Sequence, residues 1–225
     1  MFVNTKVAII DYQMGNLFSV SRMCEYVRLM PIITSNISEI MTADAVILPG
    51  VGAFGDAMDN LRRLDLINPI KDFIYLGKPF MGICLGMQLL FSRSEEFGVH
   101  NGLDIIKGNV IRFPLKGEMG SKIKVPHIGW NKIYRPSFTQ DDYWEATPLQ
   151  GLANDRYMYF VHSFYPVPDD SSAELSMTTY EDVEFCSSVH FNNIFAFQFH
   201  PEKSCLDGLA VYKNFNLLIK KGGVA

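Results

Sequence analysis

A cysteine set between glycines, in the run Gly82-Ile83-Cys84-Leu85-Gly86-Met87-Gln88, is the residue around which chemistry could be built. Ahead of it, Lys78-Pro79-Phe80-Met81 reads as the start of a short apolar strand, and after it Leu85 to Phe91 has helical spacing. Glycines two before and two after permit a sharp turn, so the thiol would project from the strand's end as a nucleophile elbow while a helix starts beneath it. The free amides and positive dipole end of that helix favour thiolate over thiol, and the thiolate is the nucleophile. A free cysteine is also commonly a small buried hydrophobe, so the pentapeptide leaves both readings open.

A second group comes from the far end of the chain, Phe197-Gln198-Phe199-His200-Pro201-Glu202-Lys203-Ser204. His200 ends an apolar strand, Pro201 stiffens the exit, and Glu202 follows where its carboxylate could reach back to the imidazole. A base held in one tautomer by a carboxylate, opposite an activated nucleophile, is the logic of a catalytic triad. By itself His200 is equally a satisfied structural histidine; paired with Cys84 it becomes the candidate base. Pro49-Gly50-Val51-Gly52 adds a backbone that could turn its amides toward a developing negative charge, although the same residues would serve an ordinary strand-to-helix loop.

The elements that must position these groups follow from hydrophobic pattern. Lys6 to Tyr12 is a near-continuous apolar run, as in a strand buried on both faces of a parallel sheet. Gly15-Asn16 leads into an expected helix from Leu17 to Met30, striped by Leu17, Val20, Cys24, Val27 and either Leu29 or Met30. The turn between them falls at the carboxyl ends of the strands, where such sheets bind ligands, so Asn16 is either a site residue or a helix cap. Ala45 to Leu48 reads as a strand, with helices expected over Ala53 to Leu61 and Leu66 to Leu76. The alternation of strands and helices through residue 92 predicts a doubly wound α/β sheet.

After Phe91 the pattern changes. Ser94-Glu95-Glu96-Phe97 opens a polar stretch; Ile105 to Phe113 and Ile123 to Pro126 are expected as hairpin strands, and Pro136 to Asp155 as an exposed loop. Strands resume at Tyr157 to Phe164, Leu175 to Tyr180, Phe185 to Phe191 and Ile194 to Phe199, and a helix from Leu206 to Ile219 closes the chain. No linker composition divides the sequence, so residues 1–225 are expected to form a single domain.

Composition narrows the function. The chain has 225 residues with 20 basic and 24 acidic side chains, a formal charge of −4, and no long block of one sign, which argues against a nucleic-acid partner. Cysteines 24, 84, 186 and 205 are scattered, with no CxxC pair and no zinc-like Cys/His spacing, so no metal is expected. No apolar run reaches membrane-spanning length and no leader pattern opens the chain, which points to a reduced cytoplasmic setting without a membrane.

The order Cys, His, Glu, with the Gly-Xaa-Cys-Xaa-Gly elbow and the His-Pro-Glu spacing, resembles the class I glutamine amidotransferases. More narrowly, Pro49-Gly50-Val51-Gly52, the elbow, Pro126-His127-Ile128-Gly129-Trp130-Asn131, Phe160-Val161-His162-Ser163 and Phe197 to Ser204 are similar to the glutaminase subunits of imidazole glycerol phosphate synthases, in co-linear order over nearly the whole chain. That resemblance implies a flavodoxin-like three-layer fold whose mostly parallel central sheet carries added antiparallel strands. It also implies that Cys84 attacks the side-chain amide of glutamine, forms a γ-glutamyl thioester and releases ammonia, with His200 as base and Glu202 as its orienter. The implied oxyanion hole is the backbone at Val51, Gly52 and Leu85, the first reached after a peptide rearrangement; Gln88, Glu96 and Ser163 would hold the glutamine. Phe164 departs from a tyrosine that the resemblance places at this position, so the polar contact of that tyrosine does not carry over with the rest.

The resemblance further implies a (β/α)₈-barrel cyclase partner that consumes the ammonia to make imidazole glycerol phosphate and AICAR in histidine biosynthesis, with Asn16, His127, Trp130, Asn131 and His162 toward the interface and no cofactor. Trp130 beside a glycine and an asparagine suits an interface anchor. Other readings are a paralogous glutaminase feeding a different synthase, such as a surface-sugar amidination enzyme; a stand-alone γ-glutamyl hydrolase; and a binding scaffold that has lost its chemistry. The intact Cys84, His200 and Glu202 weigh against the last.

Overall fold

The computed structural model describes residues 5–117 and 122–222. A seven-stranded sheet is its centre, built from β1 (Lys6–Ile10), β2 (Met30–Thr34), β3 (Ala45–Gly50), β4 (Phe80–Cys84), β11 (Glu174–Tyr180), β12 (Val183–Phe191) and β13 (Ile194–Phe197), in the order β11-β12-β13-β4-β3-β1-β2. The five strands from β13 to β2 run parallel, and β12 and β11 add an antiparallel edge. β3, β4 and β13 are buried at every position, as parallel strands covered on both faces must be.

Alternation along β1 shows how the layers form. Val7 and Ile9 share a core with Val20 and Cys24 of α1 (Leu17–Tyr26) and Val211 and Phe215 of α6 (Cys205–Lys220). Ala8 and Ile10 face the opposite core, with Ile40 of α2 (Ile37–Thr42), Met58 and Leu61 of α3 (Phe54–Arg63) and Ile70 and Phe73 of α4 (Ile67–Tyr75). This is the expected three-layer α/β fold with added antiparallel strands. Smaller sheets flank it: β5 (Phe91–Ser94), β6 (His100–Asn101), β7 (Ile106–Arg112) and β10 (Phe164–Pro168) make one, and β8 (His127–Ile133) with β9 (Arg156–His162) makes a two-stranded ribbon.

Several boundaries differ from those expected. The first helix ends at Tyr26, not Met30: Arg28 adopts φ 64°, the Leu29 amide reaches back to the Cys24 carbonyl, and Met30 bonds to Thr5 to open β2. The elbow helix α5 (Leu85–Gln88) is one turn long, because Leu89 and Leu90 give their carbonyls to Leu103, Ile105 and Ile106 and Phe91 enters β5. Residues 85–91 are buried throughout, so their helical spacing carried no face to follow. Ile123 to Pro126 forms no strand; β7 pairs instead with β10 and β5. Nor is 136–155 an exposed loop: Trp144 is 1% exposed and donates its indole N–H to the Leu175 carbonyl at 2.7 Å, with the Arg135 guanidinium 4.4 Å from its ring centroid.

Candidate active site

Register decides what meets at the carboxyl edge. Gly50 of β3 pairs with Cys84 of β4, and Ile83 with Phe197 of β13, so the segments that follow these strands emerge side by side. They carry Val51 and Gly52, Cys84 and Leu85, and Gln198 to His200.

Cys84 sits at φ 53°, ψ −109°, a conformation that costs an L-residue about 1–3 kcal/mol and persists only when neighbours over-determine it. The neighbours are a strand carbonyl and a buried tyrosine hydroxyl. A Cβ on Gly86 would lie 1.8 Å from the Leu48 carbonyl oxygen, and one on Gly50 would lie 2.2 Å from Tyr12 Oη. Only glycine lets α5 pack directly on β3 and hold the turn. With one turn of helix the dipole has few peptides to sum, so it adds little positive potential at the sulfur.

His200 follows β13, the strand that pairs with β4. Its Nδ1 donates to Glu202 Oε1 at 2.8 Å, and both side chains are almost fully buried. Nδ1 carrying the proton leaves Nε2 as the nitrogen free to act, and Nε2 is buried without a hydrogen-bond partner of good geometry. Burial by itself would lower the imidazole pKa; the negative charge of Cys84, and after it Glu202, outweighs burial and raises it to about 10. The loop that presents His200 is pinned by Ser204, whose Oγ donates to the His200 carbonyl at 2.7 Å and accepts the Tyr159 amide at 3.0 Å.

A cleft of about 380 Å³ opens over the sulfur, lined among others by Val51, Gly52, Leu85, Gln88, Glu96 and Ser163. The expected oxyanion and glutamine-holding positions thus surround one cavity. Gln88 is buried, its Nε2 donating to the Phe164 carbonyl at 3.0 Å and to Gln198 Oε1 at 2.9 Å. Glu96 Oε2 accepts the Phe54 amide at 2.7 Å, capping the start of α3. Phe164 lines the cleft, and its carbonyl holds Gln88.

The residues expected at an interface divide. Asn16 caps α1, its Oδ1 accepting the Ser19 amide at 3.4 Å. Trp130 is 49% exposed on the outer face of the β8–β9 ribbon, where Ile128 pairs with Val161 and Trp130 with Tyr159. For His127 and His162, expected as interface or structural, ribbon alternation turns both inward, 2% and 6% exposed, which suits the structural reading. The backbone carbonyl of Phe164 only accepts, so His162 Nδ1, at 2.8 Å, must carry its proton; His162 Nε2 then accepts from His127 Nδ1 at 3.1 Å, and Asn131 Nδ2 faces His127 Nε2 at 3.4 Å.

Burial lowers the pKa of His127 to about 4 and is the first cause lowering His162 to about 3, the neighbouring His127 being the next. A histidine depressed in the folded state costs stability when the unfolded chain protonates first. Stability is therefore expected to fall as pH drops from about 6.5 to 4, by at most about 1.4 kcal/mol per pH unit per histidine. His200 works in the opposite sense: its contribution is complete below 6.5, constant in this window, and lost as pH rises toward 10. Urea midpoints from pH 6.5 to 4.5, with the two ring signals followed by NMR, test this; rings that protonate near 6.5 would contradict it.

Sequence reasoning missed Gln198, Ser204 and the Tyr12 hydroxyl packed against Gly50. Gln198 did carry a signal, a lone amide between Phe197 and Phe199 in an apolar strand end. Among the described residues no cluster of ligating side chains suits a metal ion, and no helix is long and apolar enough to cross a membrane.

An open parallel sheet with a strained cysteine elbow, faced by a histidine and carboxylate at the next strand's end, is the build of an α/β enzyme that attacks acyl carbon with a thiolate. The chain belongs to the class I glutamine amidotransferases, whose family pattern matches residues 8–217. It is 46% identical over 217 residues to the imidazole glycerol phosphate synthase subunit HisH of Aquifex aeolicus (strain VF5), covering 96% of this chain and 98% of that protein. It is 44% identical over 211 residues to subunit HisH 1 of Legionella pneumophila (strain Paris), covering 94% and 98%. Among solved structures it resembles PurLQS from Thermotoga maritima (TM-score 0.67, 19% identity, covering 96% of this chain and 100% of that one). It also resembles a glutamine amidotransferase from the same organism (TM-score 0.56, 16% identity, 97% and 86% covered), and both likenesses concern the fold.

Proposed function

We propose that this chain is the glutaminase subunit of an imidazole glycerol phosphate synthase, working in the cytoplasm in histidine biosynthesis. The observation that carries the proposal is the bonding of His200 to Glu202 just beyond β13, the strand beside the one that ends in Cys84, with Cys84 lining the cleft, in a chain 46% identical to HisH over almost its full length. Glutamine enters the cleft between Gln88, Glu96 and Ser163. The Cys84 sulfur attacks the side-chain amide carbon, and the oxyanion is met by backbone amides at Leu85 and in the Val51-Gly52 segment. His200 gives its proton to the departing ammonia, then takes one from the water that cleaves the γ-glutamyl thioester. Glu202 holds the imidazole in the Nδ1–H tautomer throughout. The ammonia passes to a (β/α)₈-barrel cyclase.

The ladder of exposed Ile128, Trp130 and Tyr157 with half-buried Tyr159 is the docking face for that barrel, close beside the cleft because Val161, which pairs with Ile128, also lines the cleft. Trp130→Ala is expected to weaken binding of the cyclase about 30-fold, the loss of one central aromatic anchor, while leaving the melting temperature unchanged. Calorimetric titration checks this, and unchanged affinity would remove Trp130 from the interface. The proposed function is tested by assaying glutamate release alone, then with the barrel cyclase and its phosphorylated substrate. Turnover that is low alone and rises only with that partner supports it. Full turnover alone would favour a stand-alone hydrolase, and activation by a different synthase a paralogous role.

A further inference from the structure

We propose that Gln198 is a positioning residue for Cys84, its side-chain amide donating a hydrogen bond that favours and aims the reactive sulfur; this rests on Cys84 being the nucleophile. Gln198 Nε2 lies 3.6 Å from Cys84 Sγ, and the residue is fully buried. A buried amide in an apolar strand end is costly unless its hydrogen-bonding groups are met, and here they are.

The direction of that bond is dictated by a backbone carbonyl two residues away along the network. The Phe164 oxygen can only accept, so Gln88 must turn its Nε2 toward it. The second hydrogen on that nitrogen then points at Gln198, which can answer only with Oε1. Gln198 is left with Nε2 facing the sulfur. His162 Nδ1 donates to the same Phe164 oxygen and uses its remaining acceptor site, so the carbonyl is held from both sides. The chain Phe164, Gln88, Gln198, Cys84 therefore has one polarity, and an N–H is always presented to the thiolate.

The arrangement separates two roles at the sulfur. His200 supplies charge and the transferable proton, whereas the amide of Gln198 cannot give its proton up and only stabilises the anion. The backbone N–H of Gln198 is engaged with the Ser187 carbonyl at 2.9 Å, which fixes where its side chain begins.

Gln198→Met keeps the volume and removes the donor. In that variant alkylation of Cys84 by iodoacetamide, followed on the Cys84 peptide by mass spectrometry so that exposed Cys205 does not interfere, is expected to slow roughly tenfold to a hundredfold at pH 7. The pH midpoint of alkylation should move upward, and kcat for glutamine should fall with little change in KM. Gln198→Glu, which retains the acceptor for Gln88, should move the midpoint further in the same direction. In the unaltered protein, the Gln198 side-chain N–H signals should shift with the midpoint at which Cys84 titrates, a readout that needs no variant to fold. A folded Gln198→Met with an unmoved alkylation midpoint, or Gln198 signals indifferent to Cys84 titration, would overturn the proposal. Absence of glutamate release by the unaltered protein with its partner would instead count against the glutaminase reading.

Discussion

Glutamine hydrolysis is expected to fall by about 10⁶-fold when Cys84 is replaced by alanine, the scale seen when the nucleophile of a triad is removed. The barrier rises by that much because no second group can form the acyl intermediate: Gln88 and Gln198 near the sulfur are amides, and His200 is held by Glu202. Binding of glutamine should change little, since the groups expected to hold it line the cleft independently of the thiol. The elbow also makes a stability prediction. At φ 53°, ψ −109° glycine is unstrained and alanine is not, so Cys84→Gly should be at least as stable as Cys84→Ala, the reverse of the roughly 1 kcal/mol penalty glycine carries in an ordinary strand. Glutamate release measured with the activating partner, and urea midpoints of the two variants, check both statements. Measurable turnover by the alanine variant would remove Cys84 from the chemistry.

The second large effect is structural and reaches the chemistry through geometry. Gly86→Ala places a methyl 1.8 Å from the Leu48 carbonyl oxygen and 2.8 Å from its carbon. Neither side can yield. Leu48 belongs to β3, which is hydrogen-bonded to β1 on one side and β4 on the other, and Gly86 lies in the single turn of α5 that begins at Cys84. Overpacking against a flexible side chain costs about 1–3 kcal/mol. Against sheet backbone the loss is expected to exceed about 3 kcal/mol, with the elbow displaced and glutamine turnover lost at temperatures where the variant still folds. Gly77→Ala is the control: φ is 72° but nothing lies within 4 Å of the added methyl, so only the left-handed strain of about 1–2 kcal/mol applies. Equal urea midpoints for the two variants would show that the contact at Leu48 relaxes freely.

These predictions draw on a site that was partly legible in the chain. Local pattern identified the buried strands β1, β3 and β4, because burial on both faces demands unbroken apolar runs such as Val7 to Ile10 and Ala45 to Leu48. Residue type identified the chemistry: a thiol flanked by glycines and a histidine two residues before a carboxylate are local statements that a linear chain can make. Boundaries were less legible wherever a tertiary partner took a backbone group. The helix expected through Phe91 stops at Gln88 because β5 pairs with β7, and Trp144 is buried because a carbonyl of β11 accepts its indole, neither of which is encoded in neighbouring residues.

The sequence by itself determined which atoms react and which glycines must permit their approach. Only the tertiary structure decided that Gly50, Cys84 and the end of β13 share one edge, that His127 and His162 face inward while Trp130 faces out, and that Gln198 turns its amide toward the sulfur. The reason is one of range. Side-chain chemistry and backbone permission are properties of single residues and their immediate neighbours, whereas sheet register and the polarity of a buried hydrogen-bond network are settled between segments more than a hundred residues apart, once burial obliges every donor to find its acceptor.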